Sequence, residues 1–121
     1  MYFIFIGTDR ENCFDLRRAT KASHSAYLDA ATGDVRVLMS GPTLDEEGRE
    51  CGSLMILEAD ARGAVEAFFL QEPYHLAGLY GAADLRPWVW KRGNPRWCAA
   101  TPATWEAAPA PRFSRTEAPR A

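Results

Sequence analysis

The fold is decided by a short apolar run near the start of the chain, Tyr2-Phe3-Ile4-Phe5-Ile6-Gly7. Every residue from Tyr2 to Ile6 is aromatic or β-branched, and no polar residue interrupts the run. A run of this kind, followed at once by the polar segment that starts at Thr8, predicts a strand buried on both faces. It is too short for a membrane span or for the apolar region of a signal peptide, and no basic region precedes it.

A first helix is predicted from Cys13 to about Ala31, with Asp9 or Asn12 as its cap. Gly33 is expected to stop this helix in the left-handed conformation. The apolar residues of the segment fall roughly on one helical stripe, which predicts the face that packs on the core. They are Phe14, Ala19, Ala22, Ala26, Tyr27 and Ala30.

Three more strands and a second helix are predicted after the first helix. The second strand is Val35-Arg36-Val37-Leu38-Met39 and ends at Gly41-Pro42, the polar segment from Thr43 to Cys51 is an exposed loop, and Gly52 to Ala59 forms the third strand. Asp60 caps a helix that runs through Val65, Phe68, Phe69 and Leu70 and ends at Glu72-Pro73, and His75 to Tyr80 form a short helical turn. Residues from Ala83 to Lys91 alternate as a fourth strand, in which Pro87 favours an edge position or a bulge.

The resulting order, β-α-β-β-α-β, predicts an α+β fold of the ferredoxin-like type. In that fold a four-stranded antiparallel sheet carries both helices on one face. The other face has no helix to cover it, and an apolar face left open in this way normally binds a second subunit. The aromatic residues of the fourth strand therefore lead us to expect a homodimer.

The length of 121 residues suggests one domain, which we place at residues 1–92. Residues 93–121 form a C-terminal tail, and from residue 99 onward it contains eight alanines and four prolines. Such a composition does not form a packed core of its own. Two interpretations remain open: the tail is mobile, or it docks on the domain or on a partner subunit through Trp97, Trp105 and Phe113.

Charge and cysteine content exclude several classes of function. A net charge of −2 gives no field that attracts nucleic acid or an anionic membrane. The three widely spaced cysteines, Cys13, Cys51 and Cys98, form no disulfide framework and no zinc motif, so neither a metal nor another cofactor is expected. Free thiols fit a reducing compartment, and the expected location is the cytoplasm.

His24 is the strongest candidate for chemistry. It shares one face of the first helix with Arg17, Lys21 and Leu28, and histidine is the side chain best suited to proton transfer near neutral pH. The alternative is a solvated basic face with an ordinary histidine. The other histidine, His75, lies in a segment whose carboxylate, phenols and glycine are typical of a pocket wall, but also of a helix-terminating turn.

These residues, taken in order, resemble the YciI-like (YCII-related) family. The resemblance rests on the first strand, on Arg17…His24…Leu28, on Gly41-Pro42, on Gly52-Ser53, and on Glu72-Pro73-Tyr74…Gly78-Leu79-Tyr80. It covers about residues 1–92.

The resemblance implies a dimeric α/β-barrel fold and a histidine–aspartate pair in a cleft, and one characterised family member eliminates chloride from a chlorinated hydroxyquinol. The family histidine falls on His24. The family aspartate falls on Glu72, so this chain carries the longer carboxylate. Asp34 is an alternative partner, but it would lie about 15 Å from His24 along the helix axis, and we prefer Glu72.

Three hypotheses follow for the function. In the first, the protein is an enzyme of the lyase or isomerase type: His24 is the general base or acid, Glu72 orients it, and a small cyclic or phenolic substrate is bound by the residues Arg17, Lys21, Tyr74 and Tyr80. In the second, it is a non-catalytic homodimer that binds or senses a small molecule. In the third, its tail makes it an assembly partner.

Overall fold

A computed structural model of the chain describes residues 1–95. The chain divides into two units, of which the first is Met1–Val89 and the second begins at Trp90. The elements of the first unit follow the predicted order. They are β1 (Tyr2–Asp9), α1 (Phe14–Asp29), β2 (Val35–Leu44), β3 (Glu50–Ala59), α2 (Arg62–Leu70), α3 (Pro73–Leu76) and β4 (Tyr80–Trp88). The short helical turn predicted at residues 75–80 lies slightly earlier, as the helix α3.

The four strands form one antiparallel sheet in the order β2-β3-β1-β4. Both long helices cover the same face, where Phe3 and Phe5 of β1 lie beside Met55 and Leu57 of β3 in the core, together with Val65 of α2. The ferredoxin-like prediction is therefore confirmed. Pro87 lies on β4, which is an edge strand, as predicted. Proline has no backbone N–H to donate, so it is tolerated where a strand has only one neighbour.

The first strand is not buried on both faces. Phe3 and Phe5 point into the core, whereas Ile4 is half-buried and Ile6 is 41% exposed on the opposite face. Side chains alternate across a strand, and within Met1–Val89 both long helices lie on the face of Phe3 and Phe5, so no helix of this unit covers the other face. The prediction of an open face is therefore correct. The prediction that β1 is buried on both faces is wrong, because the helices cover only one of them.

The hairpin of β2 and β3 is longer than predicted. Gly41 and Pro42 lie inside β2 and pair with Leu54 and Ser53, and only residues 45–49 form the loop. Proline is tolerated at this point because β2 is the other edge strand and needs hydrogen bonds on one side only.

The helix ends also differ from the predictions. Cys13 is the N-cap residue of α1 and Ala61 that of α2, and neither cap makes a side-chain hydrogen bond, so Asp9, Asn12 and Asp60 do not cap these helices. The helix α1 ends at Asp29 with Ala30 as its C-cap, and Gly33 does not adopt a positive φ.

The predicted inner face of α1 is wrong for its alanines, which are exposed, whereas its Tyr27 is half-buried and packs on Phe68 of α2. The helix also buries Arg17, and Leu28 packs against the core. The exposed alanines are Ala19, Ala22, Ala26 and Ala30. The proposed docking residues of the tail, Trp97, Trp105 and Phe113, lie outside the described residues, as does Cys98.

Candidate active site

The sheet-facing side of α1 carries polar side chains. Arg17 is 3% exposed, and two turns later the side chain of His24 is 12% exposed. A buried charge has to be paired or hydrogen-bonded, because its transfer out of water is costly. The partners of these two side chains define the site.

His24 is paired with Glu72. Its Nδ1 atom is hydrogen-bonded to Oε1 of the Glu72 carboxylate, which is fully buried. The other oxygen, Oε2, accepts a hydrogen bond of 3.0 Å from the backbone N–H of His75, so Glu72 also caps α3. Pro73 is the first residue of α3 and holds Glu72 in an extended conformation before the helix, which directs the carboxylate toward α1.

The hydrogen bond to Glu72 assigns the roles of the two ring nitrogens of His24. A carboxylate accepts hydrogen bonds and does not donate them, so Nδ1 carries the proton in the neutral ring. The lone pair then lies on Nε2, where the ring can take up a proton while Nδ1 stays hydrogen-bonded to Glu72. Such an arrangement can serve as a general base or acid that is held by a buried carboxylate.

Tyr74 fixes the plane of the His24 ring. The two rings are stacked with centroids 3.9 Å apart and planes 19° apart, and Tyr74 is 1% exposed. The Arg17 guanidinium carbon lies 4.6 Å from the centroid of the same tyrosine ring. Burial raises the pKa of Tyr74, although the charge of Arg17 opposes the shift, so the phenol stays neutral at physiological pH.

Arg17 belongs to a buried network that joins α1 to the sheet. Its Nε and Nη2 atoms donate to the two Asp9 oxygens at 2.7 and 3.0 Å, and Nη2 also donates to Ser53 Oγ at 2.8 Å. Burial by itself would lower the pKa of Arg17, but the hydrogen bond and the charge of Asp9 outweigh it and raise the pKa. The guanidinium is therefore permanently charged and rigidly placed.

Tyr80 completes this network from the fourth strand. Its hydroxyl donates to Ser53 Oγ at 2.9 Å, and burial raises the pKa of Tyr80 far above the usual range for a phenol. The ring packs over Gly7, where a Cβ atom would lie only 2.7 Å from the tyrosine ring. Glycine at this position leaves room for Tyr80 to reach Ser53.

A cavity of about 210 Å³ lies between α1 and the β2–β3 hairpin, and we call it the His24 cavity. Residues from both sides line it. Those from α1 and the α3 segment include Arg17, Lys21, His24, Ser25, Leu28 and Tyr74, and those from the hairpin include Ser40, Pro42, Glu50 and Ser53. At the cavity, Lys21 Nζ lies 3.3 Å from a Glu50 carboxylate oxygen.

Of the six site residues predicted from the sequence, some line the His24 cavity and the others lie behind its lining. Four of them line the cavity: Arg17, Lys21, His24 and Tyr74. Glu72 and Tyr80 do not line it, and each contacts a residue that does. Asp34 lies beside a different cavity, and the side chain of His75 is exposed and also faces another cavity.

Sequence reasoning missed Asp9 and Ser53. Asp9 resembled a helix cap, and Ser53 was noted only as the start of a strand. A buried arginine needs a carboxylate partner, but the sequence alone does not show that Arg17 points inward, so it gave no signal for Asp9. Within residues 1–95, no three His, Cys, Asp or Glu side chains are grouped so that they would hold a metal ion. The same part of the chain has no helix long and apolar enough to cross a membrane.

Comparisons with known proteins agree with this architecture. The family model of the YCII-related domain matches residues 1–89. An uncharacterized protein of Haemophilus influenzae is 28% identical over 93 residues, which is 72% of this chain and 95% of that protein. The structure also resembles 5-chloro-2-hydroxyhydroquinone dehydrochlorinase (TftG) from Burkholderia phenoliruptrix in complex with 2,5-dihydroxybenzoquinone. That match has a TM-score of 0.67 and 28% identity, and it covers 76% of this chain and 97% of the other.

Proposed function

The chain belongs to the YCII-related domain family, and from this premise we propose that it is a small-molecule enzyme whose His24–Glu72 pair moves a proton on a hydroxylated ring. The observation that carries the proposal is a histidine held by a fully buried carboxylate beside a cavity of about 210 Å³. A buried carboxylate that only stabilised the fold would need no cavity next to its partner.

The proposed reaction begins when Nε2 of His24 removes a proton from the substrate. The electron pair left behind either expels an anionic leaving group, which is an elimination, or is protonated at another position, which is an isomerisation. Glu72 stabilises the imidazolium, which then returns its proton to the product or to water. Lys21 supplies positive charge for a developing enolate or phenolate oxygen, because it lines the cavity and its partner Glu50 is only loosely held at 3.3 Å.

Arg17 has a different task in this proposal. Its charge is already opposed by Asp9, and its Nε and Nη2 donors are engaged by Asp9 and Ser53. It therefore contributes mainly by holding Tyr74, and through Tyr74 the plane of the His24 ring. Tyr80 acts one step further away, through Ser53.

The similarity to the dehydrochlorinase supports a ring as substrate. That enzyme is named for a chlorinated hydroxyhydroquinone and was crystallised with a dihydroxybenzoquinone. The His24 cavity has room for a single substituted ring, since a cavity of roughly 150 Å³ holds benzene. Glu72 in place of an aspartate does not break the pair, because the carboxylate reaches both Nδ1 of His24 and the N–H of His75.

We also propose a homodimer formed through the open face of the sheet. The side chains at its centre are apolar: Ile6 of β1 is 41% exposed and Met39 of β2 is 54% exposed, whereas Ile4 and Leu54 are half-buried beside the buried Ile56. Large apolar side chains left exposed on a sheet face are typical of a protein–protein interface. Light scattering after size-exclusion chromatography should give twice the chain mass at micromolar concentration. A Met39→Glu variant should lower it, and a monomeric wild type would contradict the dimer.

The test of the enzyme proposal measures chloride released from 5-chloro-2-hydroxyhydroquinone and related halogenated hydroquinones. His24→Ala should lower the rate by a factor of about 10²–10⁴, the usual contribution of a general base. The matched control is His75→Ala, which removes an exposed imidazole and should keep the rate. If the wild type binds 2,5-dihydroxybenzoquinone but releases no chloride from any member of the series, the non-catalytic binding protein is the better description.

A further inference from the structure

A second cavity adjoins the His24 cavity, and we call it the outer cavity. Its volume is about 420 Å³, and it shares Arg17, Lys21 and Glu50 with the His24 cavity. The full lining is Phe14, Arg17, Arg18, Lys21, Arg49 and Glu50. The two spaces therefore meet at the Lys21–Glu50 ion pair.

Size determines which part of a ligand each space accepts. At about 210 Å³ the His24 cavity is filled by one substituted ring. A ligand with an additional arm has to extend it past Lys21 and Glu50, where the outer cavity offers roughly twice the volume. The outer cavity thus receives a part of the ligand that does not react.

Charge determines the chemistry of that part. Four of the six lining side chains are cationic, and the one carboxylate, Glu50, is already paired with Lys21. The Arg49 guanidinium carbon lies over the Phe14 ring, 4.6 Å from its centroid, so the ring gives the guanidinium an apolar contact on one side. This planar cation matches a carboxylate, which it binds through two parallel hydrogen bonds.

The carboxylates that now pair with Arg18 and Arg49 do not block the cavity. Arg18 pairs with Asp15, and Arg49 pairs with Asp45 and Glu47, and none of these three acids lines the cavity. Such pairs between exposed side chains contribute little free energy. Each guanidinium has five N–H donors, so donors remain for a ligand.

We propose that the outer cavity binds a carboxylate arm of a substrate whose ring reacts beside His24, with Arg18 and Arg49 as the residues that select it. The inference rests on the proposed function, because it assumes that the ring occupies the His24 cavity. It adds that the natural substrate is an arylalkanoic acid with a hydroxylated ring, rather than an uncharged phenol.

The experiment compares two ligands of equal size, 3-(4-hydroxyphenyl)propanoate and its carboxamide, by isothermal titration calorimetry at low salt. The wild type should bind the carboxylate about tenfold more tightly, which corresponds to two modest charge-assisted contacts. The double variant Arg18→Gln/Arg49→Gln should bind both ligands equally. The variant Arg18→Lys/Arg49→Lys keeps both charges but loses the planar geometry for two parallel hydrogen bonds, so it should keep only part of the preference. Unchanged binding of the carboxamide by both double variants shows that they are folded.

The matched control is Arg62→Gln, which removes an arginine from another exposed i,i+4 ion pair, with Glu66, on α2. It should leave both dissociation constants unchanged. Equal affinity of the wild type for the two ligands, or a preference that survives the double glutamine variant, overturns the inference.

The histidine signals in an NMR spectrum separate this outcome from failure of the proposed function. If the amide shifts the His24 signals but the carboxylate binds no better, only the assignment of the outer cavity is wrong. If neither ligand binds and the His24 signals do not move, both proposals are wrong.

Discussion

The two long helices lie on the same face of the same sheet, yet they bury opposite kinds of side chain. The helix α2 directs Val65, Phe68 and Phe69 at the sheet, and the Phe69 ring stacks on Phe5 with centroids 4.1 Å apart. The helix α1 directs Arg17 and His24 at it. One half of the covered face is a conventional apolar core, and the other half is a buried polar network next to a cavity.

The difference indicates that the two halves serve different purposes. Apolar burial under α2 stabilises the fold at roughly 25 cal/mol for each Å² removed from water. The buried charges under α1 bring little net stability, because desolvation offsets most of their attraction. A sequence that only had to fold would fill the α1 half with leucine, so we infer that the network is retained for the chemistry of the His24 cavity.

The largest loss of stability is expected when only one partner of the buried ion pair between Asp9 and Arg17 is removed. Asp9→Ala leaves the Arg17 guanidinium buried without its carboxylate, and it should lower the free energy of unfolding by about 3–5 kcal/mol. Urea denaturation measures the loss. The double variant Asp9→Leu/Arg17→Met should recover most of it, whereas a single variant with wild-type stability would show that the ion pair is not buried in solution.

A somewhat smaller loss is expected in the apolar half. Phe69→Ala removes a half-buried ring that stacks on Phe5, and it should cost about 3 kcal/mol. Binding of 2,5-dihydroxybenzoquinone should change little at a temperature where the variant is folded, since Phe69 does not line the His24 cavity. If Phe69→Ala lost much of its binding and little of its stability, the half of the sheet under α2 would belong to the site, which contradicts the role assigned to it.

The sequence predicted the sheet and failed on the inner face of α1. Alternating and apolar runs identify strands whether or not a site is present, so β1, β3 and β4 were found with small errors at their ends. In α1 the alanines suggested the buried stripe by hydrophobicity, but they are exposed, and the helix instead buries Arg17 and most of His24 and packs Leu28 against the core. Hydrophobic periodicity fails where charged residues are buried for function.

Within the site, the pairing of His24 with Glu72 came from the resemblance and not from pattern. The two residues are 48 positions apart, and nothing local joins them. Asp9 and Ser53 could not be assigned because their roles depend on Arg17 pointing inward, which only the packing of α1 on the sheet determines. Contacts between distant side chains of this kind are a property of the fold.

The smallest effect should come from the edge of the polar network. Tyr80→Phe removes the hydrogen bond to Ser53 and should cost about 1 kcal/mol at neutral pH. The pKa of Tyr80 is raised in the folded protein, so its contribution is complete below the unfolded value of about 10 and is lost as the pH rises above it. Stability of the wild type should therefore fall above pH 10, and less steeply in Tyr80→Phe. Identical slopes from pH 10 to 11.5 would show that the Tyr80 phenol is not buried.

The central claim is that the buried Glu72 carboxylate holds His24 through Nδ1 and leaves the lone pair on Nε2. The ¹⁵N chemical shifts of the two ring nitrogens, measured at a pH where the ring is neutral, test it directly. We predict a protonated Nδ1 and an unprotonated Nε2 in the wild type, with this preference weakened in Glu72→Gln. A ring protonated mainly on Nε2, or tautomers unaffected by Glu72→Gln, would contradict the pair.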